Sequence, residues 1–167
     1  NKKKIKIKLK KFKYGKIYAS PLNRCVQTAK LISKNKIFKD RNLLEINYGQ
    51  AEGLSIEKLY KKFPKLLDKW KTGKDPKFPL GESQADVIKR INIFLKKITN
   101  DSSKNIYVVT HNVFLRCLIG MFFKIEKKFW YKINIPHLLE LDFMIDNKTI
   151  YPNINRKKIK ILFSNFE

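Results

Sequence analysis

Residues 106–120 constrain the fold more than any other stretch. Ile106, Tyr107, Val108 and Val109 make a short apolar run that ends at Thr110 and His111. Val113, Phe114, Leu115, Cys117, Leu118 and Ile119 follow at once, in a segment expected to be helical over about 112–123. A strand that is apolar along its length and a helix that is apolar nearly all round both need cover on several sides. Such a pair belongs inside a layered α/β domain, where ligands bind beyond the C-terminal ends of the strands. His111 stands at that end, and it is one of two histidines in the 167 residues.

The rest of the chain fits around this seam. Residues 16–19 read as a second short strand. Ser20 and Pro21 are suited to open a helix, as cap and first-turn residue. Leu22, Val26, Ala29, Leu31 and Ile32 keep helical spacing to about Ser33, with Arg24 in the first turn. Residues 38–46 read as mostly extended, followed by a turn over 47–49. The stretch 52–80 has two helix-like pieces broken at Pro64 and then a turn-rich run, and reads as a lid-like excursion and not a core element. Ser83 is expected to cap the next helix, with Asp86 in its first turn and Val87, Ile91, Phe94, Leu95 and Ile98 on its buried face. Leu139, Leu141, Phe143 and Ile145 alternate with polar residues, as do Ile159, Ile161 and Phe163. This predicts an antiparallel pair at the end of the chain, with residues 146–149 turn-like between them. Residues 1–14 are Lys-rich and fit the end of an amphipathic helix or a strand. The expected architecture is a single α/β domain over 1–167. It is a three-layer α/β/α sandwich with a mostly parallel central sheet and an antiparallel edge.

A formal charge of +24 invites a nucleic-acid reading. Only five of the 38 basic residues are Arg, however, and the lysines are scattered along nearly every segment. Asn, Ile and Phe are abundant too, as AT-rich codons would give. No aromatic-interleaved basic face stands out, so a solvated basic surface is expected, with no specific nucleic-acid partner. No run of 18 apolar residues and no signal-like apolar stretch occurs, so no membrane association and a cytoplasmic setting are expected. Cys25 and Cys117 have no metal-ligand spacing and read as buried thiols, and no metal or cofactor is expected.

Two junctions share one design: a strand, a polar residue or two, then a helix N-terminus. One carries Arg24 and the other His111. If their strands are neighbours, two helix N-termini and a guanidinium fork converge, which suits a dianion such as phosphate. Taken singly, His111 could be a satisfied core histidine, Arg24 a surface ion-pair partner and Glu45 an ordinary loop carboxylate.

Four blocks in order resemble the histidine phosphatase superfamily, the phosphoglycerate-mutase-like family. Residues 20–29, from Ser20-Pro21-Leu22 through Arg24 to Gln27-Thr28-Ala29, resemble S-P-L-x-R-A-x-Q-T-A. Leu43, Glu45, Gly49, Glu52 and Gly53 are similar to L-x-E-x-x-x-G-x-x-E-G. Pro79, Gly81, Glu82 and Ser83, with Arg90 further on, look like P-x-G-E-S. Val109, His111 and Arg116 match V-x-H-G followed by Arg, with Asn112 where Gly is usual.

The resemblance implies phosphoryl transfer to a catalytic histidine and hydrolysis of the phosphohistidine, with a small phosphorylated metabolite as partner. It implies Arg24 as a phosphate clamp with Asn112 beside it. His111 would be the supporting histidine and Glu45 the acid for the leaving oxygen. It also implies a nucleophile in an N-terminal R-H-G motif. That motif is absent from this sequence, and His137 lies in no matching block. The expectation is therefore a chain lacking its first strand and most of its first helix, inactive as it stands. The alternatives are a natural phosphate-binding pseudoenzyme and mutase-type transfer.

Overall fold

A computed structural model describes residues 15–166, so the helix end or strand expected over 1–14 lies outside the described residues. Strand β1 (Lys16–Ala19) leads to helix α1 (Asn23–Ile32) and strand β2 (Ile37–Lys39). A single 3-10 turn (Arg41–Leu43), an extended strap and a second 3-10 turn (Gly49–Ala51) follow. Next come α2 (Ile56–Lys62), α3 (Pro64–Lys71), α4 (Gln84–Thr99), β3 (Ile106–Val109) and α5 (Asn112–Phe122). A 3-10 segment (Lys127–Lys132), the hairpin β4 (Phe143–Asp146) and β5 (Thr149–Pro152), and α6 (Arg156–Leu162) complete the described residues.

The strands β2, β1 and β3 lie side by side in that order, all parallel. Side chains alternate across a strand, so β1 feeds two cores. Ile17 and Ala19 pack on Ala29 of α1 with Ile37, Tyr107 and Val109. Tyr18 points the other way, its ring edge-on to Phe94 at 5.5 Å. On that side Val87, Ile91, Phe94 and Ile98 of α4 meet Phe114, Cys117, Leu118 and Ile119 of α5. Helices therefore cover both faces of a parallel sheet, the α/β layering that the sequence pattern requires.

The N-terminus of α4 is doubly satisfied. Ser83 Oγ accepts from Asp86 N–H and Asp86 Oδ2 accepts from Ser83 N–H, a reciprocal capping box. Asp75 adds its carboxylate to the amides of Gln84 and Ala85 at 2.8 and 2.9 Å. Helix α5 is buried through Gly120, where any Cβ would run into the indole of Trp130.

Four expectations need correction. Ser20 does not cap α1; Leu22 holds that position, without a side-chain bond. The extended run over 38–46 is interrupted by the 3-10 turn, because Asp40 Oδ1 accepts from Asn42 N–H and starts it. The stretch 52–80 is partly core: Leu66 and Phe78 are buried, and Trp70 and Tyr48 both pack edge-on against Phe78. Finally, the antiparallel pair is β4 with β5, in a sheet of its own, and residues 156–162 are helical. Asn155 accepts from Lys158 N–H and caps that helix, which settles an apolar spacing that fits either period. The turn over 146–149 is present, with Asn147 and Lys148 both at positive φ, as a two-residue hairpin requires.

Candidate active site

Register brings the two junctions together. Ala19 of β1 pairs with Val109 of β3, and Ser20 N–H donates to Val109 O at 2.9 Å. The residues that leave these strands are therefore neighbours. Arg24 Nε donates to His111 Nδ1 at 3.1 Å. With Nδ1 accepting, the ring proton belongs on Nε2, which lies 2.7 Å from Ser20 Oγ and donates to it. Arg24 is otherwise exposed. Burial, followed by the charges of Arg24 and Arg90, pushes His111 down to about 4. The imidazole is thus neutral near pH 7. An arriving dianion would offset the guanidinium charge and favour the protonated ring.

Glu45 approaches from the strap. Its Oε1 accepts from Val113 N–H at 3.1 Å, at the positive end of α5, and from its own neighbour Ile46 at 3.1 Å. These bonds and the Arg24 charge favour the carboxylate, but burial outweighs them and holds the carboxyl above the usual Glu range. A carboxyl whose proton is held more tightly than usual, at a helix N-terminus beside Arg24, is suited to proton exchange. Tyr48 adjoins it, its hydroxyl pushed up to about 12 by burial and by the Glu45 charge.

Asn112 begins α5, but its amide donates to Ile135 O at 3.2 Å. One turn on, Arg116 Nε donates to Ile133 O at 3.0 Å. The two side chains grip alternate carbonyls of the segment that leads to His137, which is exposed. Arg24, His111 and Glu45 are thus brought together, while the Asn112 amide is engaged at the rim. Among the described residues, no three His, Cys, Asp or Glu side chains are placed to share a metal ion. No helix among them is long and apolar enough to cross a membrane.

Three residues of the quoted blocks take roles that the sequence does not give them. Ser20 serves His111 and not a helix cap. Cys25 donates to Thr110 O at 3.5 Å and lies 3.4 Å from His111 Nε2, so its sulfur walls the imidazole. Burial pushes that thiol up to about 11, which keeps it protonated and unreactive. Arg90 reaches the Glu45 strap from α4. Only the pairing of β1 with β3 would have revealed the first two.

With this geometry in place the comparisons are consistent. The chain belongs to the histidine phosphatase superfamily, branch 1, whose family model matches residues 3–144. It is 30% identical over 120 residues to phosphoserine phosphatase 1 of Hydrogenobacter thermophilus, covering 68% of this chain and 57% of that protein. The chain thus spans little more than half the length of that relative. It is 27% identical to the 2,3-bisphosphoglycerate-dependent phosphoglycerate mutase of Buchnera aphidicola, covering 86% of this chain and 78% of the other. The alpha-ribazole phosphatase of Shigella flexneri shares the fold, with a TM-score of 0.77 at 17% identity over 92% of this chain and 78% of that one.

Proposed function

We propose that the intact protein hydrolyses small phosphomonoesters through a phosphohistidine intermediate. The observation that carries this reading is the contact of Arg24 with His111, with Glu45 on the N-terminus of the same helix. Arg24 presents its fork to the phosphoryl oxygens. His111, held neutral by burial and the nearby arginines, gains a proton as the dianion arrives and stabilises charge during transfer. Glu45 donates its proton to the leaving oxygen, a contribution of about 100- to 10,000-fold, and then activates water against the phosphohistidine. The mechanism also requires a nucleophilic histidine, the role that the resemblance gives to the R-H-G motif absent from these 167 residues. Hydrolysis is favoured over mutase transfer because the 52–80 stretch is short. Relatives named as phosphoserine phosphatase and phosphoglycerate mutase support a small phosphorylated metabolite as substrate.

The test is to incubate the full-length protein with a panel of phosphomonoesters and quench in alkali. Phosphate release with an acid-labile, alkali-stable phosphoprotein is expected, and the 167 residues alone should give none. Turnover without such an intermediate would overturn the mechanism. The missing R-H-G motif supports a second reading, a phosphate-binding protein without turnover. Phosphate binding dependent on Arg24, with no hydrolysis in the full-length protein, would favour it.

A further inference from the structure

We infer that Arg90, locked to Glu82, is a positioning residue that sets where the Glu45 carboxyl sits. This rests on the reading of Glu45 as the acid. The strap that carries Glu45 has no helix or strand of its own, so its path must be fixed from outside. Arg90 stands on α4, 45 positions along the chain from Glu45. All five of its N–H donors are used. Nη1 donates to Asn42 O at 2.9 Å and to Leu44 O at 3.0 Å. Nη2 reaches Glu45 O at 3.5 Å and Glu82 Oε2 at 2.9 Å, and Nε donates to Glu82 Oε1 at 2.8 Å.

Glu82 completes the clamp beyond Glu45. Its Oε2 accepts from Asn47 N–H at 2.9 Å, and its own N–H donates to Asn47 O at 2.8 Å. The ion pair thus holds the backbone at residues 42, 44 and 45 on one side and at 47 on the other. Thr110 Oγ1 takes the carbonyl between, donating to Leu43 O at 2.9 Å. Arg90 and Glu82 are mostly buried, with side-chain exposures of 17% and 22%, which favours a fixed arrangement. A lysine at 90 would keep the charge but has three donors on a flexible stem, and it cannot span three carbonyls and a carboxylate. A displacement of about 1 Å at a proton donor can cost on the order of 100-fold in rate.

The test separates positioning from stability by the leaving group. A general acid matters for an alkyl phosphate, whose leaving oxygen is basic, and much less for p-nitrophenyl phosphate. In the full-length protein, Arg90→Lys is expected to lower kcat/KM, which reports only the step that expels the leaving group, by roughly 30- to 100-fold on glycerol phosphate. On p-nitrophenyl phosphate the loss should stay under about threefold. Glu82→Gln should show the same asymmetry more weakly, and it serves if Arg90→Lys does not fold. Adding Arg90→Lys to Glu45→Gln should cost nothing further on glycerol phosphate. Equal losses on both substrates, or multiplying losses in the double variant, would overturn the inference. If Glu45→Gln itself shows no dependence on leaving group, the acid role of Glu45 fails first, whatever Arg90 does. The Val113 amide proton, bound to Glu45 Oε1, reads the same position without turnover. Arg90→Lys should shift it and speed its exchange while sparing Leu115, whose amide bonds His111 O. An unmoved Val113 amide also overturns the inference.

Discussion

Arg24 and His111 reach the site from the ends of neighbouring parallel strands, whereas Glu45 reaches it from a strap with no regular structure. The first pair takes its placement from sheet register: once Ala19 sits beside Val109, the residues that follow must meet. The Glu45 side takes nothing from periodicity. Its backbone groups are satisfied one at a time, by Arg90, Glu82 and Thr110. Sheet geometry places groups generically, while a strap must be specified bond by bond.

The largest effects should arise where both sides meet substrate. In the full-length protein, Arg24→Ala, His111→Ala and Glu45→Gln should each lower turnover at least ~100-fold in steady-state assays. Near-normal rates in His111→Ala would remove the strand-end side from the chemistry. The strap itself should break at Gly49, which has φ +52 and where a Cβ would strike Pro79 O, Gly81 N and Leu80 C. Gly49→Ala is expected to cost about 3 kcal/mol by urea unfolding. Gly53→Ala, at φ +70 with open space around it, should cost only about 1 kcal/mol.

The two sides should also titrate in opposite senses. His111 is held at about 4 against an ordinary 6.5, so the unfolded chain takes up its proton first. Its contribution to stability is present above about pH 6.5 and is lost as pH falls towards 4, a change of roughly 2–3 kcal/mol. Glu45 is raised, so its contribution is present at low pH and is lost as pH rises through its folded value. His111→Gln should flatten the acid slope, and Glu45→Gln should steepen it, in unfolding curves from pH 4 to 7. Persistence of the full slope in His111→Gln would assign it elsewhere. A small effect, matching that of Gly53→Ala, is expected from Ser20→Ala, which removes the hydroxyl partner of His111 Nε2. About 1 kcal/mol of stability should be lost.

The same contrast decides what the sequence revealed. The strand–helix seams and the capped helix α4 follow from spacings within one turn or one strand, so their residues announce themselves locally. Arg24 and His111 stand out at the two strand–helix junctions and Glu45 through its motif, and the expected meeting of the junctions follows from fold class. Ser20 was misread because a cap and a site hydroxyl call for the same residue type. Ile159, Ile161 and Phe163 alternate like a strand, yet Ile159, Leu162 and Phe163 also share a helix face, and Asn155 tips the balance. Leu66 and Phe78 looked peripheral because their burial depends on partners distant in the chain. Glu82 and Arg90 belong to a motif block, but their grip on a segment more than 30 residues upstream follows from no local periodicity.

The strap has one more consequence, for how this chain tolerates changes in length. The carbonyls of residues 42 to 45 and the amide of 47 each have an assigned partner. The segment therefore acts as a ruler between the end of β2 and the second 3-10 turn. One inserted or deleted residue would slide every carbonyl off its donor and carry the Glu45 carboxyl away from α5. The exposed turn at Gly53 and the hairpin tip at Asn147 and Lys148 carry no such constraint, so gains and losses of residues should collect there.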